Sequence, residues 1–159
     1  MAQVTLDKKV PAFSAPATGD KVVRLSHFKG KKLVLYFYPK DHTPGCTTES
    51  QDFAAFYAKF KRAHTDILGI SRDSIHSHEK FKAKHELPFD LLSDEDETLC
   101  KLFDVIKMKN MYGKKVRGIE RSTFLIDEKG VLRHEWRKVK VKGHVEQVLE
   151  TCNYLGYHG

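Results

Sequence analysis

Leu33-Val34-Leu35-Tyr36-Phe37-Tyr38-Pro39-Lys40-Asp41-His42-Thr43-Pro44-Gly45-Cys46-Thr47-Thr48-Glu49 is the stretch on which the reading of this chain turns. Its first six residues form a continuous apolar and aromatic run, the pattern of a parallel strand covered on both faces. Past Cys46, residues Phe53, Phe56, Tyr57 and Phe60 recur at helical spacing while Asp52, Lys59, Lys61 and Arg62 fill the opposite face. Cys46 therefore sits where a strand ends and an amphipathic helix begins. There the unpaired N–H groups and the positive end of the helix dipole favour a negative charge.

That placement favours a thiolate at Cys46. A thiol of ordinary pKa, about 8.5, is only roughly 3% ionised at pH 7, so full ionisation gains about thirtyfold in nucleophile, or about 2 kcal/mol. Fast chemistry at sulfur also needs donors aimed at the charge that develops in the transition state. Thr43 is the nearest candidate, its hydroxyl donating to a reacting oxygen while accepting from a backbone amide. Pro39 and Pro44 restrict the loop, and Gly45 permits close approach to the thiol.

Outward from this unit, a strand is predicted over Val22 to Arg24; the strand Leu33 to Tyr38, a helix from Cys46 to Ala63 and a strand over Ile67 to Ser71 then make a βαβ unit with parallel strands. A helix over Ser74 to His85, a short strand over Phe89 to Leu92 and a helix over Glu97 to Phe103 follow. Strands Ser122 to Ile126 and Val131 to Trp136 flank the turn Asp127-Glu128-Lys129-Gly130, and a last helix spans Gly143 to Leu155. The 159 residues and 40% hydrophobic content suit one domain over residues 1–159, with no linker, repeat or low-complexity tract. Neither an N-terminal apolar segment nor a membrane-length run is present, and three cysteines are an odd count for a disulfide framework. A cytoplasmic protein with reduced thiols and no membrane partner is expected.

Pro39, Thr43 and Cys46 match the Pro-x-x-x-Thr-x-x-Cys signature of the peroxiredoxins, and the longer block Tyr38-Pro39-Lys40-Asp41-His42-Thr43-Pro44-Gly45-Cys46-Thr47 resembles the bacterioferritin comigratory protein or PrxQ branch. The similarity extends from Pro11-Ala12-Phe13 through Ile119-Glu120-Arg121-Ser122-Thr123-Phe124-Leu125-Ile126-Asp127 to Trp136 and His144. With the element order, the resemblance implies an α/β thioredoxin-like fold, a central mixed β-sheet flanked by helices. It implies an antioxidant thiol-dependent peroxidase acting on hydrogen peroxide and organic hydroperoxides, in which Cys46 becomes a sulfenic acid. Arg121 matches the arginine that stabilises the thiolate and donates to the peroxide, Glu49 the acidic residue that orients it, and Pro39 the residue that shields the thiolate. Thioredoxin or a small thiol is the implied reductant; no metal, haem, flavin or other cofactor is implied, and a monomer is expected.

The second thiol departs from the common family patterns. Relatives place a resolving cysteine five residues after the first, where this chain has Gln51, or in the following helix, at Lys82. Cys152 falls in register with Val145, Val148, Leu149 and Leu155 and reads as a packing thiol; Cys100 flanks Leu99, Leu102 and Phe103 and keeps a noncanonical resolving role open. A one-cysteine-like cycle is the expectation. A thiol–disulfide oxidoreductase or a holdase chaperone on the same fold is the alternative, the first weakened because Thr43 and Glu49, not cysteines, lie three residues from Cys46.

Nine histidines include the pair His76-x-His78, which lacks partners at metal-ligand spacing and reads as solvated surface. Net charge +7 and a pI near 9.3 raise a nucleic-acid-binding reading centred on Lys107, Lys109, Lys114, Lys115 and Arg117, then Arg133, Arg137, Lys138, Lys140 and Lys142. No nucleic-acid motif accompanies them, so no nucleic-acid partner is expected, and a basic face steering an acidic reductant fits as well.

Overall fold

The computed structural model describes residues 3–158. The apolar run becomes β3 (Lys32–Phe37), every residue of it buried. It pairs in parallel with β4 (Thr65–Ser71) and antiparallel with β8 (Ser122–Ile126). With β1 (Ser14–Ala17), β2 (Lys21–Arg24), β5 (Leu91–Ser93) and β9 (Leu132–Trp136), these form one seven-stranded mixed sheet of order β2-β1-β5-β4-β3-β8-β9. Helices α1 (Pro44–Ala55), α2 (Tyr57–Arg62), α3 (Ile75–His85), α4 (Thr98–Leu102) and α5 (His144–His158) flank it. The expected thioredoxin-like architecture is present.

Alternation along β3 divides the core. Leu33, Leu35 and Phe37 join Cys100, Phe103 and Phe124 on one side, whereas Val34 and Tyr36 join Cys46, Phe53, Phe60 and Cys152 on the other. The sheet therefore lies between Cys100 and Cys46.

Three features differ from the sequence reading. The helix expected from Cys46 to Ala63 breaks at Phe56, whose N–H is shared between the carbonyls of Asp52 and Ala54; the junction Phe56-Tyr57 offers two aromatic residues of low helix propensity. β1, with Pro16 and two alanines, carries no strand signature. The basic stretch after Val105 forms a separate hairpin, β6 (Ile106–Met111) with β7 (Lys114–Ile119), turning at Tyr112-Gly113, both at positive φ. Much of it is exposed, so no apolar alternation marked it.

Candidate active site

Thr43 is the N-cap of α1, with Pro44 at the first helical position, and Cys46 falls in the first turn, 1% exposed. The expected cap bond is absent: Thr43 Oγ1 donates to the Lys40 carbonyl at 2.7 Å. The local turn offers the hydroxyl proton an acceptor, so its donor capacity is used and the oxygen is left to act as an acceptor. Pro39 is half-buried at the exit of β3.

Glu49 follows Cys46 by one helical turn on the inward face and is fully buried. Its Oε1 accepts from Arg121 Nη1 at 2.6 Å, and Arg121 Nη2 lies 3.4 Å from Cys46 Sγ. Arg121 arrives from the short link between β7 and β8, so the fork joins two segments far apart in sequence. Gly45 eases the approach, because a Cβ there would sit 3.2 Å from Arg121 Nη2 and the guanidinium would have to shift by a few tenths of an ångström.

The electrostatics of the three groups are coupled. Burial pushes the Glu49 carboxyl up to about 7 against the opposing pull of Arg121, and its Oε2 is buried without a hydrogen-bond partner. Burial opposes the Arg121 charge, but Glu49 and Cys46 outweigh it and hold the guanidinium above its ordinary value. The arrangement can hold a permanent cation beside sulfur in a site shielded from water, which is what a reaction that develops negative charge on a leaving oxygen requires.

The remaining thiols are elsewhere. Cys100 lies across the sheet, with burial and the neighbouring Asp94 pushing its thiol far above the ordinary value. Cys152 is pushed up to about 12 by burial and lies near Thr65 and Lys32, at the start of β4 and β3. Cys46 follows the opposite end of β3, a strand about 17 Å long. Disulfide-linked Cα atoms lie within about 7 Å.

The reading of the histidines as solvated surface fails at two positions. His78 is 0% exposed and bonds Asp41, and His144 is 4% exposed and lies 2.8 Å from Thr123 Oγ1. Nothing in their spacing marked them, because the partners come from other elements. Asp41, Asp73 and His78 form a compact group of metal-ligand type, yet their facing atoms already bond Tyr38, Ser71, Ser77, Leu92 or one another. Lys109, placed above in a basic patch, donates to the Ile119 carbonyl; burial and the nearby Arg121 lower its pKa. Several other cations of that patch are paired locally: Lys107 with Asp104, Arg117 with Glu97, Arg133 with Asp127 and Arg137 with Glu135. Among the described residues no helix is long and apolar enough to cross a membrane.

Most of the chain is similar to known proteins. The family model described as "AhpC/TSA family" matches residues 6–135. The chain is 52% identical over 151 residues to Peroxiredoxin Bcp of Xanthomonas campestris, spanning 94% of each chain. It is 51% identical over 148 residues to Peroxiredoxin Bcp of Bacillus subtilis, covering 93% of this chain and 94% of that one. A solved structure of the Xanthomonas campestris bacterioferritin comigratory protein, studied for alkyl peroxide reduction, superposes with a TM-score of 0.86 at 51% identity over 91% of this chain and 92% of that one. A Xylella fastidiosa PrxQ mutant gives 0.89 at 42% identity, over 95% and 96%.

Proposed function

Since the chain belongs to the AhpC/TSA family, among the peroxiredoxins of the Bcp or PrxQ branch, and is a thiol-dependent peroxidase, we propose that Cys46 is its peroxidatic thiol. The thiolate attacks the terminal oxygen of a hydroperoxide. The S–O bond forms as the O–O bond breaks, sulfur is oxidised to the sulfenic acid, and the leaving oxygen takes a proton to depart as water or an alcohol. The observation that carries this reading is the Arg121 fork, 3.4 Å from Sγ and anchored on Glu49. Arg121 stabilises the thiolate and then the charge on the peroxide oxygens, with Glu49 orienting it. Thr43, its own proton committed to Lys40, accepts the peroxide O–H and aligns it, and Pro39 shields the sulfur from water.

The proposed cycle uses one cysteine of this chain. Two observations support it: Cys100 is separated from Cys46 by the sheet, and Cys152 lies near the far end of β3. An external thiol, thioredoxin or a small thiol, then attacks the sulfenic sulfur, forms a mixed disulfide and expels water; a second thiol releases Cys46. Substrates are hydrogen peroxide and alkyl hydroperoxides, the latter by likeness to the Xanthomonas campestris protein. We place this cycle in a monomer in the reducing cytoplasm.

Stopped-flow mixing of the reduced protein with hydrogen peroxide tests the assignment. A fast reaction lost in Cys46→Ser is expected; a slow reaction, or one that survives the substitution, overturns it.

A further inference from the structure

Asp41 lies in the loop between β3 and α1, five positions before Cys46, yet is only 3% exposed. A carboxylate at that depth needs partners, and its two oxygens have three. Oδ1 accepts from Tyr38 Oη at 2.6 Å, while Oδ2 accepts from Ser77 Oγ at 2.8 Å and from His78 Nδ1 at 2.7 Å. Its backbone N–H donates to Asp73 Oδ2 at 2.9 Å. Burial alone would raise the Asp41 pKa, but His78, Tyr38 and Ser77 outweigh it and hold the carboxyl below its ordinary value.

His78 is fully buried on α3, and its Nε2 donates to the Leu92 carbonyl at 2.9 Å. Its two ring nitrogens thus face two different elements, Nδ1 the Asp41 carboxylate in the loop and Nε2 the Leu92 carbonyl on β5. The pair thereby ties the loop to α3 and, through Leu92, to β5. The loop needs an outside tether, because His42 holds a left-handed φ of 63° and Thr43 folds back onto Lys40.

We infer that Asp41 and His78 are positioning residues for the peroxide reaction, clamping the Pro39–Pro44 loop so that Thr43 and Cys46 meet a peroxide in reacting geometry. They touch neither sulfur nor substrate; they act through the loop backbone. The inference rests on the peroxidase reading, and it makes α3 a structural support of the site. Reacting atoms tolerate little displacement, a shift of about 1 Å costing about 10²-fold.

The test compares two reactions of Cys46 in the full chain: oxidation by hydrogen peroxide, which needs the aligned loop, and alkylation by iodoacetamide, which needs only an accessible thiolate. Asp41→Asn is expected to lower the peroxide rate constant about 10–100-fold, with alkylation unchanged or faster and a cooperative unfolding transition retained. Ser77→Ala removes one donor without stranding a charge and is expected to shift the same ratio in the same direction by a smaller factor; it decides the matter if Asp41→Asn does not fold. Equal falls in both rates, or no fall in the peroxide rate, overturn the inference while the peroxidase reading stands. A wild-type protein inert to peroxide overturns both.

Discussion

Arg121 Nη2 stands 3.4 Å from Cys46 Sγ although 75 positions separate them in the chain. The contact exists because α1 starts at the end of β3 and β8 runs antiparallel beside β3, with Phe37 facing Ser122, so the residue before Ser122 arrives next to the helix start. A permanent cation and a thiol are thus set together by the central pairing of the sheet.

Arg121→Lys is expected to lower the rate constant with peroxide by about 10²–10³-fold, or roughly 3–4 kcal/mol of transition-state stabilisation. A lysine keeps the charge but cannot bridge Glu49 and sulfur with one planar fork. Stopped-flow rates over a peroxide series read the loss; a change under threefold would remove Arg121 from the mechanism.

Glu49 gives stability a pH dependence of defined sign. Its folded pKa is raised to about 7 from an ordinary 4.5, so the folded state binds the proton more tightly. Its contribution is complete below about pH 4.5 and is lost as pH rises through about 7, by roughly 3 kcal/mol. Urea unfolding at pH 5 and pH 8 should show Glu49→Gln losing less stability than wild type over that interval; parallel losses would contradict the assignment.

His144 acts in the opposite sense. Burial, followed by the nearby Arg121 charge, lowers its pKa to about 4. The stability this provides is present above about pH 6.5 and lost as pH falls towards 4, again by roughly 3 kcal/mol. His144→Gln should flatten the acid limb of the stability profile, and an unchanged acid limb would refute it.

Cys100→Ala and Cys152→Ala should each retain full turnover with an external thiol. Intact mass of the wild type after one equivalent of peroxide under non-reducing conditions should show a gain of one oxygen. A loss of two hydrogens would mean an internal disulfide and end the one-cysteine cycle.

Gly69 lies where β4 passes under Tyr36 and Leu91, and a Cβ there would fall 2.7 Å from the Tyr36 ring and 2.8 Å from Leu91. Gly69→Ala should cost about 1–3 kcal/mol, and calorimetry should show the midpoint lowered by about 2–4 °C per kcal/mol.

The sequence alone determined the strand–loop–helix unit around Cys46, since a continuous apolar run, two prolines and an aromatic helical stripe are local signals that need no partner. It also singled out Glu49 and Arg121 through the family motif, and β8 and β9 through the hairpin turn that ends at Gly130. Only the tertiary structure decided the rest. His78 and His144 read as surface residues because a histidine's burial depends on groups brought from elsewhere, Asp41 for one and Thr123 for the other. The hydroxyl proton of Thr43 went to Lys40 rather than outward because the turn closed on it. The places of Cys100 and Cys152, across the sheet and near its far end, follow from pleat and pairing. Those are relations between distant segments, and no local spacing encodes them.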